Sequence, residues 1–115
     1  MTANTISTIN INDFIAAMPK CELHVHVEGT LEPELKFRLA ARNAMTLPHT
    51  TVEALRASYT FTNLSSFLAI YYDGMAVLQH EADFYDLTYA YLEKAHSQNV
   101  VYAELFFDQI GRAHV

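Results

Sequence analysis

The stretch Cys21–Thr30 constrains the fold more than any other part of the chain. Polar and apolar residues alternate strictly along it, which is the period of an extended strand. One face of this predicted strand carries four titratable side chains, Glu22, His24, His26 and Glu28. Because residues two apart on a strand project from the same face, the imidazoles of His24 and His26 are expected to lie side by side. Two imidazoles in that position can bind one metal ion.

Two histidines at this spacing are weak support on their own, because 6 histidines among 115 residues give about 0.3 such pairs by chance. Their position adds to the case. Gly29 lets the backbone turn at the end of the strand, and Thr30 with Pro33 opens a helix directly afterwards. The carboxyl end of a strand that is followed by a helix is where α/β proteins bind ligands. The position therefore favours a metal site over its alternative, a hydrogen-bonded pair of structural histidines.

The segment Met18–Glu34 resembles the N-terminal signature of the adenosine and adenine deaminases, a branch of the metal-dependent amidohydrolases. Its centre reads His24-Val25-His26-Val27-Glu28-Gly29-Thr30. It is most similar to the adenine deaminase-like members, and so are residues 67–88 and the segment Val101–Asp108. The matches together cover about residues 11–108. The resemblance implies a (β/α)8 TIM barrel that uses a zinc-bound water to replace the amino group of a purine with oxygen.

The same resemblance implies roles for individual residues. His24 and His26 would bind one zinc ion per subunit. At the position of Glu28, adenosine deaminases typically have Asp, which the family uses to meet the ribose, whereas adenine deaminase-like members typically have Glu. Glu28 therefore implies adenine as the substrate, deaminated to hypoxanthine and ammonia, with adenosine deaminated to inosine as the alternative. A purely structural alternative is that Glu28 hydrogen-bonds the turn that follows it.

A helix capped by Asn63 carries an apolar stripe at helical spacing. The stripe consists of Leu64, Phe67, Leu68, Tyr71 and Met75. Helical periodicity alone predicts that this stripe packs in the core. In the family that the chain resembles, however, this region lies beside the purine, which makes Phe67 and Tyr71 candidates for an apolar wall of the substrate site.

The fold implied by the resemblance is larger than the chain, because a complete barrel takes roughly 250 residues and this sequence has 115. We expect residues 11–109 to form the N-terminal part of a single deaminase barrel, after a flexible tail over residues 1–10. This part would be α/β, with two parallel strands joined by an enlarged helical first crossover. The family's further metal ligands and its catalytic Glu would lie beyond this sequence. We therefore assign no catalytic residue within the chain and expect the isolated chain to be inactive.

Local sequence signals place the remaining elements. Asn12 is a predicted cap for a short helix that Pro19 ends, and Thr50 with Glu53 forms a predicted capping box. Asp83 would lie in the first turn of the last helix, where the helix dipole favours a negative charge. Three elements complete the prediction: a helix from Pro33 to Asn43 with Leu35, Leu39 and Ala40 buried, a helix from Glu81 to Asn99 with Phe84, Leu87, Tyr91 and Ala95 buried, and a strand from Val100 to Phe107.

The last six residues depart from the family that the chain resembles. Ile110-Gly111-Arg112-Ala113-His114-Val115 is the translation of a common short-read sequencing adapter. We therefore expect residues 110–115 to be non-native library sequence, which replaces the authentic sequence after about Gln109. On this interpretation His114 has no function.

Charge and cysteine content exclude several classes of partner. The net charge is -6, the pI is about 5.3 and no basic cluster is present, so neither nucleic acid nor an acidic membrane surface is an expected partner. The sequence shows neither a signal peptide nor an apolar run long enough for a membrane span. Cys21 is the single cysteine, expected as a small buried residue under a helix. We expect a cytoplasmic protein whose partner is a small-molecule purine.

Two rival interpretations follow from the same residues. His26-Val27-Glu28 also spells the H-x-E of the cytidine and tRNA adenosine deaminases, but their zinc site needs a P-C-x-x-C segment. A chain with one cysteine cannot form that site. The non-enzymatic interpretation is a truncated product without activity, which binds divalent metal weakly and exposes strand edges prone to aggregation.

Overall fold

The computed structural model of the chain describes residues 8–108. Most of the predicted tail over residues 1–10 and the whole of residues 110–115 lie outside that range. Within it, no helix is long and apolar enough to cross a membrane. The elements are α1 (Ile11–Ala17), β1 (Lys20–His26), a 3-10 turn (Val27–Thr30), α2 (Pro33–Arg42), α3 (Val52–Ala57), α4 (Leu64–Met75), α5 (Glu81–Ser97) and β2 (Val100–Phe106).

β1 and β2 are neighbours and pair in parallel, from Lys20 opposite Val100 to His26 opposite Phe106. A parallel neighbour cannot be reached through a tight hairpin, because the chain must return to the starting edge of the sheet before it pairs again. Here the return runs through α2 to α5. The prediction of two parallel strands with an enlarged helical crossover is confirmed.

β1 is shorter than the sequence predicted. The strand ends at His26, and the following 3-10 turn is closed by the Thr30 hydroxyl, which donates to the Val27 carbonyl at 2.6 Å. Val27 and Glu28 are both buried in this turn, at 5% and 3% exposure. Strict alternation would have placed them on opposite faces. The predicted alternation is therefore wrong beyond His26, because a local hydrogen bond favours a turn over an extended chain.

The core lies between α2, α5 and the segment that joins α4 to α5. Leu39, Val77 and Leu87 form its centre, with at most 1% exposure each. The predicted burial of Leu35 and Ala40 on α2 is confirmed. These apolar side chains recur at helical spacing, so each helix contributes one continuous face to the core.

α4 departs from this pattern. Asn63 caps it as predicted, through a capping box with Ser66. None of its residues is buried, however, and Leu64 and Phe67 are 70% and 41% exposed. The prediction that its apolar stripe packs in the core is wrong. Helical spacing gives an apolar face but does not say what that face meets.

Two other predicted caps are displaced by one or two residues. The side chain of Asn10 accepts from the main-chain N–H of Asn12 at 2.9 Å, so Asn10 and not Asn12 caps α1. Thr51, not Thr50, caps α3. A cap side chain has to reach a main-chain N–H two or three positions further on. Asn10 reaches that of Asn12, and Thr51 reaches that of Ala54.

Cys21 is exposed, which contradicts its predicted burial under a helix. A register shift occurs between Lys20 and Cys21, where the pairing on β2 advances from Val100 to Tyr102. Such an irregularity changes the direction of the side chains that follow. The alternation of polar and apolar residues therefore did not predict the direction of the Cys21 side chain.

Asp83 joins the end of α2 to the start of α5. Its carboxylate is fully buried and accepts from the Arg42 guanidinium, from the Asn43 amide at 2.8 Å, and from the main-chain N–H groups of Gln79 and His80, both at 2.9 Å. Burial alone would raise the pKa of Asp83, but these donors outweigh it and hold the pKa well below its ordinary value. The charged carboxylate therefore holds together the two ends of the helical segment that contains α3 and α4.

Asp83→Ala is expected to lower the free energy of unfolding of the full-length protein by about 2–4 kcal/mol, because main-chain N–H groups and a guanidinium lose a charged acceptor. Glu34→Ala is the matched control, since its exposed pair with Arg56 should contribute less than about 1 kcal/mol. Denaturant unfolding near neutral pH measures both. Equal effects of the two variants would contradict the role assigned to Asp83.

The same contribution has a defined pH dependence. A carboxylate whose folded pKa is lowered stabilises the protein fully above its unfolded pKa, about 3.9 for Asp. That contribution is lost as the pH falls through the folded pKa. The stability difference between the parent and Asp83→Ala should therefore stay constant down to about pH 5 and shrink below about pH 4.

Candidate metal centre and adjoining cleft

His24 and His26 lie side by side at the carboxyl end of β1, with ring centroids 5.2 Å apart and ring planes inclined by 48°. Two imidazoles that bind one tetrahedral zinc through bonds of about 2.0–2.1 Å have centroids roughly 5 Å apart. The separation therefore fits two ligands of one metal ion. Among residues 8–108, no group of three or more His, Cys, Asp or Glu side chains is placed to hold a metal. The pair fits two of the three protein ligands that a catalytic zinc normally has.

A β-bulge sets the direction of the first imidazole. Between Glu22, opposite Ala103, and Val25, opposite Leu105, β1 contains one residue more than β2. His24 lies in this bulge at φ 62°, in the left-handed region that residues with a side chain seldom adopt. The placement of His24 beside its partner therefore depends on the bulge as well as on the spacing of the two histidines.

The side chain of Glu22 is hydrogen-bonded to α5. Its carboxylate accepts from the Tyr91 hydroxyl. Burial and this hydrogen bond raise the pKa of the Tyr91 hydroxyl to about 12, so the hydroxyl keeps its proton and remains a donor. Glu22 also lines the cavity at the histidine pair, in keeping with its predicted place on the same face as His24 and His26.

Phe106, the last residue of β2, packs against both imidazoles. Its ring centroid lies 4.9 Å from that of His24 and 6.1 Å from that of His26. Sequence reasoning missed this residue, although its place at the end of the second parallel strand was an available signal. The neighbouring strand thus adds an aromatic ring that restricts where the two imidazoles can lie.

α4 contributes the aromatic part of a cleft at the histidine pair. The cleft has a volume of about 600 Å³, and its lining includes both histidines, Phe67, Tyr71 and Asp108. Phe67 and Tyr71 are stacked, with centroids 6.0 Å apart and planes inclined by 29°. The structure therefore brings the predicted metal ligands and the two predicted wall residues to one cavity.

Glu28 lies beside this cleft, in an adjoining cavity of about 230 Å³ that Phe67 and Tyr71 also line. Its Oε1 accepts from the main-chain N–H of Asp108 at 2.7 Å. Asp108 is the second residue after the end of β2. Glu28 therefore ties the carboxyl end of one strand to that of the other.

The sequence profile of the family described as "Adenosine deaminase" matches residues 19–113. The chain belongs to the adenosine deaminase family. The adenine deaminase of Marinomonas sp. (strain MWYL1) is 64% identical over 94 residues, which are 82% of this chain and 28% of that protein. The adenine deaminase of Geotalea uraniireducens (strain Rf4) is 54% identical over 108 residues, which are 94% of this chain and 30% of that protein.

A solved structure gives the same relation. The crystal structure of the adenine deaminase from Arthrobacter aurescens is similar to this chain with a TM-score of 0.80 and 52% identity, over 85% of this chain and 30% of that chain. The chain thus spans about 30% of the length of the relatives that it matches. The predicted fold class is confirmed: the α/β arrangement is that of the N-terminal segment of a deaminase TIM barrel.

The bulge predicts opposite responses at the two histidines. At φ 62° a glycine is unstrained and an alanine costs about 1 kcal/mol, so His24→Gly should be more stable than His24→Ala by about that amount. His26, at φ -78°, is the matched control, where alanine should be the more stable by about 0.5–1 kcal/mol. Denaturant unfolding of the full-length protein in the presence of a chelator measures all four variants. The same order at both positions would contradict the strained backbone at His24.

Proposed function

We propose that the full-length protein that carries this chain removes the amino group of a purine by hydrolysis. The proposed substrate is adenine and the products are hypoxanthine and ammonia, with adenosine, deaminated to inosine, as the alternative. The observation that carries the proposal is the cleft that His24 and His26 line together with aromatic side chains of α4. Relatives named adenine deaminase, at 64% and 54% identity, support the same reaction.

One zinc ion per subunit is part of the proposal. His24 and His26 would be two of its protein ligands, as their separation of 5.2 Å allows. The chemistry that zinc supplies at such a site is the activation of water at neutral pH, by lowering the pKa of water toward 7. The part played by this chain is to hold the two imidazoles in place. The bulge at His24 does so from β1, and the ring of Phe106 does so from β2.

Phe67 and Tyr71 are proposed to form the substrate wall, against which the purine base packs. A purine is flat and aromatic, and the stacked rings of these two residues offer a surface of the same character. Packing there would also displace water from the base. Polar contacts elsewhere in the cleft would then act in a medium of lower dielectric, where they are stronger.

Glu28 is proposed to select adenine over adenosine. Its carboxylate is fixed by the N–H of Asp108 and lies in the cavity beside the substrate wall. A carboxylate held there takes up space that a ribose would need, and Glu extends one methylene further than Asp. The free base is therefore the preferred substrate.

Hydrolysis at a purine ring carbon also needs a proton for the ring nitrogen. No residue of this chain is assigned to that step, and we propose that the isolated chain has no activity. A cytoplasmic location, expected from the sequence, belongs to the same proposal.

The full-length protein is expected to release ammonia from adenine, to lose this activity when a chelator removes its metal, and to recover it with zinc. His24→Ala and His26→Ala should each lower the zinc content of the purified protein, because each removes a ligand. His96→Ala, at an exposed position near the end of α5, is the control and should keep the zinc. Activity that survives complete metal removal would contradict the zinc proposal. A protein that releases ammonia from neither adenine nor adenosine would contradict the proposed reaction.

Glu28→Asp is expected to lower the ratio of kcat/KM for adenine to kcat/KM for adenosine by about tenfold or more, the range that one methylene contributes to discrimination. The physical reason is the space that the shorter side chain leaves for a ribose. Glu32→Asp, an exposed residue paired with Lys94, is the matched control and should leave the ratio unchanged. A parent that uses both substrates equally well would refute the role given to Glu28.

A further inference from the structure

Lys36, on α2, is a buried cation outside the proposed metal centre. It is 2% exposed, and its ammonium donates to the carboxylate of Asp73 on α4 at 3.2 Å. A buried ammonium is destabilising unless an acceptor stays close, so the pair restricts where its partner can lie. The Asp73 side chain is 61% exposed and can be hydrated if the pair breaks, whereas the buried Lys36 ammonium has no access to water.

α4 packs against the rest of the chain through half-buried side chains, and the ion pair adds a charged contact to them. None of its residues is buried, and Asp73 is the only charged residue between Leu64 and Met75. α4 also packs against the 3-10 turn. Tyr71 Cε2 lies 3.5 Å from the position that a Cβ on Gly29 would occupy. That contact is an ordinary apolar one. The ion pair is therefore the one charged tie that the sequence of α4 makes available.

Helical geometry gives the tie a specific effect. Phe67 and Tyr71 are four residues apart and share one face of α4. Asp73 lies about 200° round the helix axis from Tyr71, at about 100° per residue. Fixing Asp73 to Lys36 therefore fixes the rotation of α4 about its own axis, and with it the direction of the two rings.

We propose that Lys36 is a positioning residue for the substrate wall. Through Asp73 it holds α4 so that Phe67 and Tyr71 stay turned toward the histidine pair. The inference rests on the proposed function of the wall. Lys36 touches no reacting atom, so it acts on how well the purine binds and not on the chemical step. Its loss should raise KM and leave kcat nearly unchanged.

Lys36→Met removes the charge and keeps an unbranched side chain that is only one atom shorter. In the full-length protein it should raise KM for adenine about 5- to 20-fold, with kcat within about twofold of the parent and the zinc content unchanged. Asp73→Asn should have the same effect. The double variant should be no worse than the more affected single variant, because the two residues form one interaction. Lys94→Met removes an exposed ammonium paired with Glu32 and is the matched control, with the KM of the parent expected.

A second measurement does not depend on turnover. Hydrogen exchange of the main-chain amides in residues 64–75 should be faster in Lys36→Met than in the parent and unchanged in Lys94→Met, because α4 loses its tie. An unchanged KM in both single charge variants, or unchanged exchange in α4, would overturn the proposal. A joint fall of kcat and zinc content would overturn it as well, since that indicates general damage to the fold. If the parent does not deaminate adenine, the proposed function fails, and the exchange measurement alone decides whether Lys36 holds α4.

Discussion

Parallel pairing between β1 and β2 is the constraint on which the rest of the structure depends. Two parallel strands end at the same edge of a sheet, so the residues that follow them meet although they are far apart in the chain. His26 lies opposite Phe106, and Glu28 accepts from the main chain of Asp108, 80 residues away. The histidine pair, its aromatic neighbour and the buried carboxylate are therefore together because the strands run in one direction.

Sequence patterns predicted the features that depend on neighbouring residues. Pro33 at the first turn gives the start of α2, and Asn63 with its capping box gives the start of α4. Asn99, in the left-handed conformation at φ 61°, follows the end of α5, as the sequence indicated. Each of these signals acts over a few residues and can be recognised in a single sequence. The length of the helical segment between the strands then favoured a parallel connection.

Features set by distant residues were not accessible in this way. The bulge at His24 depends on how β1 pairs with β2 around Glu104. The sequence explained Asp83 by the helix dipole, whereas in the structure it is a buried acceptor shared by two helices. For Phe67 and Tyr71 the helical period is the same whether the stripe packs in a core or lines a cleft. Only the tertiary structure decides between those two outcomes.

The contacts around Asp83 also bear on how this part of the fold can diversify. Arg42 and Asn43, where α2 ends, bind Asp83, where α5 begins, and the Asn43 amide also donates to the Val77 carbonyl at 2.9 Å. Residues 44–78 therefore depart and return at nearly one point in space. In a segment whose two ends are held together, the loops can lengthen at little entropic cost, whereas Phe67, Tyr71 and Val77 have to stay, because they belong to the proposed substrate wall and to the core.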